Sequence, residues 1–368
     1  MHEFRYGEWV VKLDPATRPR EVMVEVTTRC NYSCIHCFRN YLKEPNRDMG
    51  LNLFEKILGD SKRAGVVKVV FSGWGEPLVH PRIMEFIEMS KSVGMSVLLN
   101  TNGALLEHYA EEVAKLGVEE LVVSVDSVET DLYQAVRVGG SLKEVVKGLL
   151  KLKEIRRARS LWRPVVSIHF TVTRLNYRDV PKLVSFAKEM GVTRVTISNV
   201  VPLSSEHENM NACYADPECV KYMERAREVL GKESLDSNVA IEFPSFSTMA
   251  ERRCPFALRY ALYVRVDGRV APCIYYAHEW RSSVMGVERA IRPVALGDVA
   301  RCDLAELWRS EAYARLRFRT TFFTMPSCLD CPLQKYCTYT LSNEVDCWGN
   351  TPTCAHCPYS HDMARCPL

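Results

Sequence analysis

Three cysteines near the start of the chain have the spacing of an iron–sulfur ligand set. Cys30, Cys34 and Cys37 form a Cys-x-x-x-Cys-x-x-Cys pattern with no fourth cysteine nearby. Each iron of a 4Fe-4S cluster takes about one thiolate, so three cysteines leave one iron without a protein ligand. A metal with an open position has room for a substrate or cofactor. The triplet therefore predicts a catalytic cluster. The alternative is half of a zinc site, although zinc sites usually contain paired Cys-x-x-Cys units.

The elements that position these cysteines follow a repeated pattern of short apolar runs and amphipathic stretches, which is typical of β/α units on a parallel sheet. The predicted strands are 21–27, 68–72, 96–100, 121–125, 165–172 and 194–198. The predicted helices are 53–64, 81–93, 105–116, 142–157, 180–190 and 217–230. Six units predict a partial (β/α)6 TIM-like barrel, in which chemistry lies at the carboxyl ends of the strands.

Polar residues follow the predicted strands at those ends. The second strand runs into Gly73-Trp74-Gly75-Glu76-Pro77, the third into Asn102, and the fourth into Ser124 and Asp126. Gly75 allows the backbone to approach a ligand closely, and Glu76 can accept a hydrogen bond from an ammonium group. An ordinary turn before a helix is the alternative for residues 73–77.

The cysteine triplet and residues 73–77 together resemble the radical S-adenosylmethionine superfamily, with Trp74 in place of the first glycine of its Gly-Gly-Glu-Pro motif. The resemblance implies that the open iron binds the amino and carboxylate groups of S-adenosylmethionine. The cofactor-binding candidates that follow from it are Gly73, Trp74, Gly75, Glu76, Asn102, Ser124, Asp126 and Arg137. Ser124 and Asp126 resemble residues that contact the ribose or the carboxylate. Arg137 either pairs with the carboxylate or is a surface residue, and His36 is interpreted as a flat packing group.

The remainder of the chain is rich in cysteine. We predict a lead-in over residues 1–20, the barrel over 21–240 and a second domain over 241–368. Residues 263–273 predict a β-hairpin with an Asp267-Gly268 turn, and residues 304–317 predict a helix. This region resembles the SPASM extension of radical enzymes that modify peptides and proteins, which commonly holds two auxiliary 4Fe-4S clusters. Its candidate ligands are Cys254, Cys273, Cys328, Cys331, Cys337, Cys347, Cys354, Cys357 and Cys366.

Two such clusters need seven or eight cysteines, and one of the nine is spare if both clusters are fully cysteine-ligated. The spacing does not assign them to individual clusters, and zinc is the alternative for the Cys-x-x-Cys pairs. Cys213, Cys219 and Cys302 fall outside the pattern and are interpreted as structural or incidental.

Charge and hydropathy favour a cytoplasmic protein. The net charge is +3 and the charges are dispersed, which does not indicate a nucleic-acid or membrane partner. No run of about 18 apolar residues predicts a membrane helix, and the first residues are too polar for a secretory signal.

Two features address which radical enzyme this is. Ile274 stands where sulfatase maturases have an aspartate base, which argues against formylglycine formation. The tail from Asp346 to Tyr359, taken with residues 72–77, resembles the radical maturases associated with tungsten-cofactor aldehyde ferredoxin oxidoreductases.

The resemblance implies an enzyme that reductively cleaves S-adenosylmethionine to a 5′-deoxyadenosyl radical and modifies a peptide, protein or cofactor. Its expected partners are a substrate such as a tungsten oxidoreductase and a low-potential donor such as ferredoxin. A maturase of a small ribosomal peptide, which forms thioether or carbon–carbon links, is one alternative. A non-catalytic iron–sulfur electron carrier is an alternative of another class. Candidates for the substrate pocket are Trp74, His169, Asn199, Tyr275 and Tyr276.

Overall fold

One large sheet joins the barrel to the cysteine-rich region. The computed structural model describes residues 2–14 and 16–368. Its strands are β1 (Glu3–Tyr6), β2 (Trp9–Lys12), β3 (Glu21–Val24), β4 (Lys68–Phe71), β5 (Ser96–Thr101), β6 (Glu120–Ser124), β7 (Val165–Val172), β8 (Arg194–Asn199), β9 (Ala240–Glu242), β10 (Ala261–Val264), β11 (Arg269–Ala271), β12 (Trp280–Val284), β13 (Val287–Ile291) and β14 (Gly297–Asp298). In these residues the large sheet has the order β14-β11-β10-β3-β4-β5-β6-β7-β8-β9, and the strands from β10 to β9 are parallel.

Helices connect the parallel strands. They are α1 (Leu51–Ala64), α2 (Ile83–Ser92), α3 (Leu106–Lys115), α4 (Thr130–Val136), α5 (Leu142–Ala158), α6 (Leu183–Met190), α7 (Ser205–Asn211), α8 (Pro217–Ser237), α9 (Pro255–Leu258), α10 (Leu304–Arg309) and α11 (Glu311–Phe322). None of the helices in the described ranges is long and apolar enough to cross a membrane.

Side chains on the two faces of the large sheet belong to two different hydrophobic cores. Val22 of β3 and Val69 of β4 pack in the same core as Phe54 of α1, whereas Met23 and Val70 belong to a second core. Side chains alternate between the faces of a strand, so one face is covered by helices and the other faces the barrel interior. The cysteine-rich region contributes to both cores, for example with Leu262 and Trp308 in the first and with Tyr263 and Trp280 in the second.

The six predicted β/α units are confirmed, with boundary differences of a few residues. The sheet extends further than predicted, because β9 pairs with β8 and β10 pairs with β3, both in parallel. The expected boundary between residues 240 and 241 lies inside β9, and residues 241–368 contribute three strands to the barrel sheet. Residues 1–20, expected as a lead-in, contain the antiparallel pair β1–β2. Phe4 of that pair stacks on Phe318, with 4.8 Å between the ring centroids.

Two helix predictions are corrected. The single helix expected over 304–317 is two helices, because the chain is extended at Ser310 and its hydroxyl accepts a hydrogen bond from the Tyr313 N–H (3.4 Å). A serine in this position satisfies a free N–H at the start of a new helix. The helix that was expected to end at Leu230 continues to Ser237 and ends where Asn238 adopts the left-handed conformation (φ 55°).

The predicted hairpin is confirmed as β10 and β11, with Gly268 at φ 87° in the turn. Cys213 and Cys219 form a disulfide and are therefore structural, while Cys302 is exposed and free.

Candidate active site

The carboxyl ends of the barrel strands open into a cavity of about 460 Å³. Seven of the eight cofactor-binding candidates line it, and so do the three cysteines of the triplet. The exception is Asp126, which lies outside the wall. The set that lines the cavity is Cys30, Cys34, Cys37, Gly73, Trp74, Gly75, Glu76, Asn102, Ser124 and Arg137.

The cysteine triplet lies on a loop between β3 and α1 that is fixed by backbone hydrogen bonds. Ser33 N donates to Val138 O (2.8 Å), and Cys37 N donates to Cys34 O (3.1 Å). Burial raises the pKa of all three thiols, that of Cys37 to about 12. Thiols ligate metals as thiolates, so cluster binding here must release protons and compensate buried negative charge.

These residues fit a 4Fe-4S cluster by their donor chemistry and placement. No three His, Cys, Asp or Glu side chains converge on a single ion anywhere in residues 2–14 and 16–368. Cysteine ligands of a 4Fe-4S cluster each bind a different iron, so they surround a cluster rather than one atom. Cys30, Cys34 and Cys37 would hold the cluster at the cavity wall. When bound and reduced, it supplies the electron that cleaves S-adenosylmethionine.

Residues 73–76 lie against the backbone that leads to the cysteine loop. A Cβ on Gly75 would overlap Thr27 O and lie 2.6 Å from Arg29 O, so only glycine fits there without displacing the backbone. Glu76 N donates to Arg29 O (2.8 Å), which fixes the loop beside the cysteines. The motif is therefore more than an ordinary turn before a helix.

Glu76 is buried and is held by the end of β5. Its Oε1 accepts from Thr101 Oγ1 (2.7 Å) and Leu78 N (3.1 Å), and its Oε2 accepts from Asn102 N (2.7 Å). Burial outweighs these hydrogen bonds and raises the pKa of Glu76. A buried carboxylate with a raised pKa gains stability when a cation such as a substrate ammonium comes next to it.

The Trp74 side chain packs against the cysteine-rich region. Its side chain is buried, and its Nε1 donates to Ile274 O (3.3 Å). Its ring lies 4.6 Å from that of His278 and 4.7 Å from that of Phe38. Trp74 therefore links residues 73–77 to the hairpin side of the second domain.

Asp126, behind the cavity wall, forms a buried ion pair with Arg137, which lines the cavity. Arg137 Nε lies 2.8 Å from Asp126 Oδ2, and Asp126 Oδ1 accepts from Thr171 N (2.7 Å). Burial opposes the charge of Arg137, but the Asp126 carboxylate, with smaller contributions from neighbouring groups, outweighs it and raises the pKa of Arg137. Arg137 is thus a buried, charged residue on the wall and not a surface arginine. Direct contact between Asp126 and the cofactor stays a prediction.

His36 and His169 extend the wall near this pair. His36 Nε2 lies 3.5 Å from Asp126 Oδ2. Burial lowers the pKa of each histidine to about 4, so both rings are neutral near pH 7. Neutral His36 is consistent with a flat packing group at the cavity. Of the candidates for the substrate pocket, Trp74, His169 and Asn199 line the cavity, whereas Tyr275 and Tyr276 line a second, smaller one.

The auxiliary cysteines separate into two groups. Five of them surround the smaller cavity of about 40 Å³, where burial raises the pKa of each thiol; they are Cys254, Cys273, Cys354, Cys357 and Cys366. The other four are Cys328, Cys331, Cys337 and Cys347. Burial, and to a lesser degree the charge of Cys347, raise the pKa of Cys328 to about 11. The five cysteines around the smaller cavity can supply four thiolates to one cluster.

Two contributors to the site were missed in the sequence. Glu25 follows β3 and is buried against the second domain; the only signal was a lone acidic residue in an apolar run. Residues 364–368 line the large cavity, and nothing in their sequence indicated contact with the barrel.

The fold and this site define the chain's class: it belongs to the radical SAM superfamily. The model of that superfamily matches residues 24–187, and the model of the SPASM iron–sulfur cluster-binding domain matches residues 254–332. The protein is therefore a radical S-adenosylmethionine enzyme that uses 4Fe-4S clusters and S-adenosylmethionine. Membership of this superfamily removes the support for a non-catalytic electron carrier.

The similarity extends over nearly the whole chain. A tungsten-containing aldehyde ferredoxin oxidoreductase cofactor-modifying protein of Pyrococcus furiosus is 32% identical over 348 residues, which are 94% of this chain and 96% of the relative. A PqqA peptide cyclase of Granulibacter bethesdensis is 26% identical over 94% of this chain and 89% of its own. The structure of Streptococcus suis SuiB bound to S-adenosylmethionine superposes with a TM-score of 0.64 at 19% identity, covering 88% of this chain and 72% of SuiB. That structural likeness concerns the fold alone.

Proposed function

We propose that this enzyme modifies a cofactor or a protein during maturation of a tungsten-containing oxidoreductase. The observation that carries the proposal is the 32% identity to the Pyrococcus furiosus cofactor-modifying protein, which spans both domains. The tail from Asp346 to Tyr359 supports it, and Ile274 puts an apolar side chain where a sulfatase maturase has its base.

Different residues of the cavity would position different groups of S-adenosylmethionine. Glu76 and Asn102 would orient the methionine amino group of S-adenosylmethionine, and Arg137 would face its carboxylate. A cavity of about 460 Å³ is within the usual range for small-molecule sites, so it suits the cofactor with a small substrate or a single protruding side chain. The partners proposed here are a low-potential donor such as ferredoxin and the oxidoreductase or its cofactor, in the cytoplasm.

The test starts from anaerobic protein with reconstituted clusters, dithionite and S-adenosylmethionine. Addition of a tungsten oxidoreductase made in cells that lack this gene is expected to stimulate 5′-deoxyadenosine formation and to change the mass of its cofactor or chain. Protein with Cys30, Cys34 and Cys37 all replaced by alanine is the matched control. Formation of 5′-deoxyadenosine that the oxidoreductase neither stimulates nor couples to a mass change would refute the proposed substrate while leaving the radical chemistry intact.

Maturation of a ribosomal peptide is the second candidate, favoured by the similarity to the PqqA peptide cyclase over 94% of this chain. It predicts that a short peptide encoded beside the gene, and not the oxidoreductase, acquires a crosslink. Tandem mass spectrometry of that peptide after the same reaction distinguishes the two candidates.

A further inference from the structure

The smaller cavity contains one more thiol than a cluster can use. Cys254, Cys273, Cys354, Cys357 and Cys366 all line it. A 4Fe-4S cluster is complete with four cysteine thiolates. A cluster bound in this cavity therefore leaves one of the five without iron, and the structure distinguishes one of them from the others.

Four of the five lie on short turns of the cysteine-rich region. Cys254 directly precedes α9, and Cys273 follows the β10–β11 hairpin. Cys354 and Cys357 share one turn, in which Cys357 N donates to Cys354 O (3.2 Å). Such turns place their thiols locally, as Cys-x-x-Cys ligand pairs commonly do.

Cys366 is placed by the barrel instead. Before it, Arg365 N donates to Ser198 Oγ (2.9 Å), and after it, Pro367 O accepts from Asn100 Nδ2 (2.7 Å). Asn199 Nδ2 also donates to Met363 O (2.9 Å). Strands β5 and β8 thus fix the backbone on both sides of this cysteine.

Cys366 also borders both cavities. Of the nine auxiliary cysteines, all within the described ranges, it is the one that lines the large cavity as well as the small one. Leu368, His169 and Ser198 line the large cavity with it. The triplet and Cys366 line the same cavity, so a molecule that fills it borders both.

We propose that Cys254, Cys273, Cys354 and Cys357 hold the auxiliary cluster beside the barrel, and that Cys366 keeps an iron-free thiol that forms part of the substrate-binding wall. This assigns the spare cysteine and makes Cys366 a substrate-contacting residue, whichever substrate the enzyme modifies. A soft, polarizable sulfur at this point suits an apolar or sulfur-containing group of the substrate.

Iron content tests the ligand assignment. Wild-type protein with all clusters contains about twelve iron atoms per chain, four for each of three clusters. Cys366→Ser is expected to retain this number, whereas the matched variant Cys273→Ser is expected to lose about four iron atoms. Loss of iron from Cys366→Ser similar to that from Cys273→Ser would overturn the assignment.

Alkylation tests the placement of the thiol. Iodoacetamide, applied anaerobically for hours at about pH 9 to the cluster-loaded protein, is expected to modify the exposed Cys302 quickly and Cys366 slowly, because burial raises the pKa of the Cys366 thiol and only the thiolate reacts. Peptide mapping by mass spectrometry is the readout. Addition of S-adenosylmethionine is expected to slow modification of Cys366 by about fivefold or more, because a ligand fills most of such a cavity. Modification of Cys302 is the control and should keep its rate. An unmodified Cys366, or one whose modification ignores S-adenosylmethionine, would refute the inference. Neither measurement depends on the proposed function.

Discussion

Glu25 joins three parts of the molecule through one buried carboxylate. His278 Nε2 lies 2.9 Å from Glu25 Oε2, while Oε1 accepts from Tyr263 Oη (2.9 Å) and Trp74 N (3.0 Å). The carboxylate follows β3, Trp74 belongs to the loop that leads to Glu76, and the other two partners belong to the second domain. Glu25 is therefore expected to hold the cofactor loop and the hairpin against the barrel.

Glu25→Gln keeps the shape of the side chain but removes its charge. It also places an NH2 group among neighbours that donate hydrogen bonds. Leaving buried hydrogen-bonding groups unsatisfied costs about 1–3 kcal/mol, and more where a charged group is involved. The free energy of unfolding is expected to fall by about this amount. Glu111→Gln is the matched control, because the Glu111–Arg159 pair is half exposed and such pairs contribute about 0–1 kcal/mol.

Urea unfolding of both variants in the cluster-loaded state, followed by tryptophan fluorescence, measures this difference. Trp74 and Trp280 are both buried in the core that this network supports, so their emission reports on it. A free energy of unfolding for Glu25→Gln within about 1 kcal/mol of that for Glu111→Gln would refute the argument that the buried charge is needed.

The Glu25 carboxylate also makes the stability of the protein depend on pH. Burial alone would raise the pKa of Glu25, but the hydrogen bond and charge of His278, with the Trp74 N–H, lower it below 4.5 overall. A lowered carboxyl pKa contributes stability above the unfolded value, and that stability is lost as the pH falls. Wild-type stability is therefore expected to decline below about pH 4.5 by a step that Glu25→Gln lacks.

Further predictions concern the cofactor site. Cys37→Ala is expected to lose about four iron atoms and all 5′-deoxyadenosine formation, as measured by iron analysis and chromatography; full activity would contradict the ligand assignment. Glu76→Gln is expected to weaken S-adenosylmethionine binding by about 10- to 100-fold in anaerobic calorimetry, the loss of one charge-assisted hydrogen bond; unchanged affinity would exclude an ammonium contact. Gly75→Ala is expected to destabilise the protein by about 1–3 kcal/mol or more because its Cβ meets backbone carbonyls, whereas Gly231→Ala, in open space on α8, is expected to stabilise it by about 0.5–1 kcal/mol. Equal thermal shifts of these two variants would contradict the close approach at Gly75.

Local pattern was sufficient for the barrel and for the cofactor loop. Apolar periodicity predicted the six β/α units. Buried side chains recur about every second residue in a strand and about every 3.6 residues in a helix, so a short stretch of sequence shows either period. Cys30, Cys34 and Cys37 were identifiable because all three lie within eight residues, a span that one loop can fold around one cluster. Parallel strands end at the same edge, so residues 73–77, Asn102 and Ser124 could be expected to meet.

The separation of α10 from α11 at Ser310 could not be predicted from the helical pattern. Leucine and tryptophan on one face favour a continuous helix, whereas the serine favours the start of a new helix because its hydroxyl can cap it. The pairing of Arg137 with Asp126 required the chain to bring the end of α4 behind β6, so the sequence could not distinguish a buried arginine from a surface one.

The sequence by itself determined the type of chemistry, because ligand number and spacing are properties of short segments. Tertiary structure alone decided which of the nine auxiliary cysteines share a cavity. Cys254 and Cys366 lie more than a hundred residues apart in the sequence. The pairing of β10 with β3 places the first, and hydrogen bonds with β5 and β8 place the second. Tertiary structure also decided that Glu25 contacts the second domain through His278 and that residues 364–368 line the large cavity. Contacts of that range depend on how whole elements pack, and no local spacing encodes them.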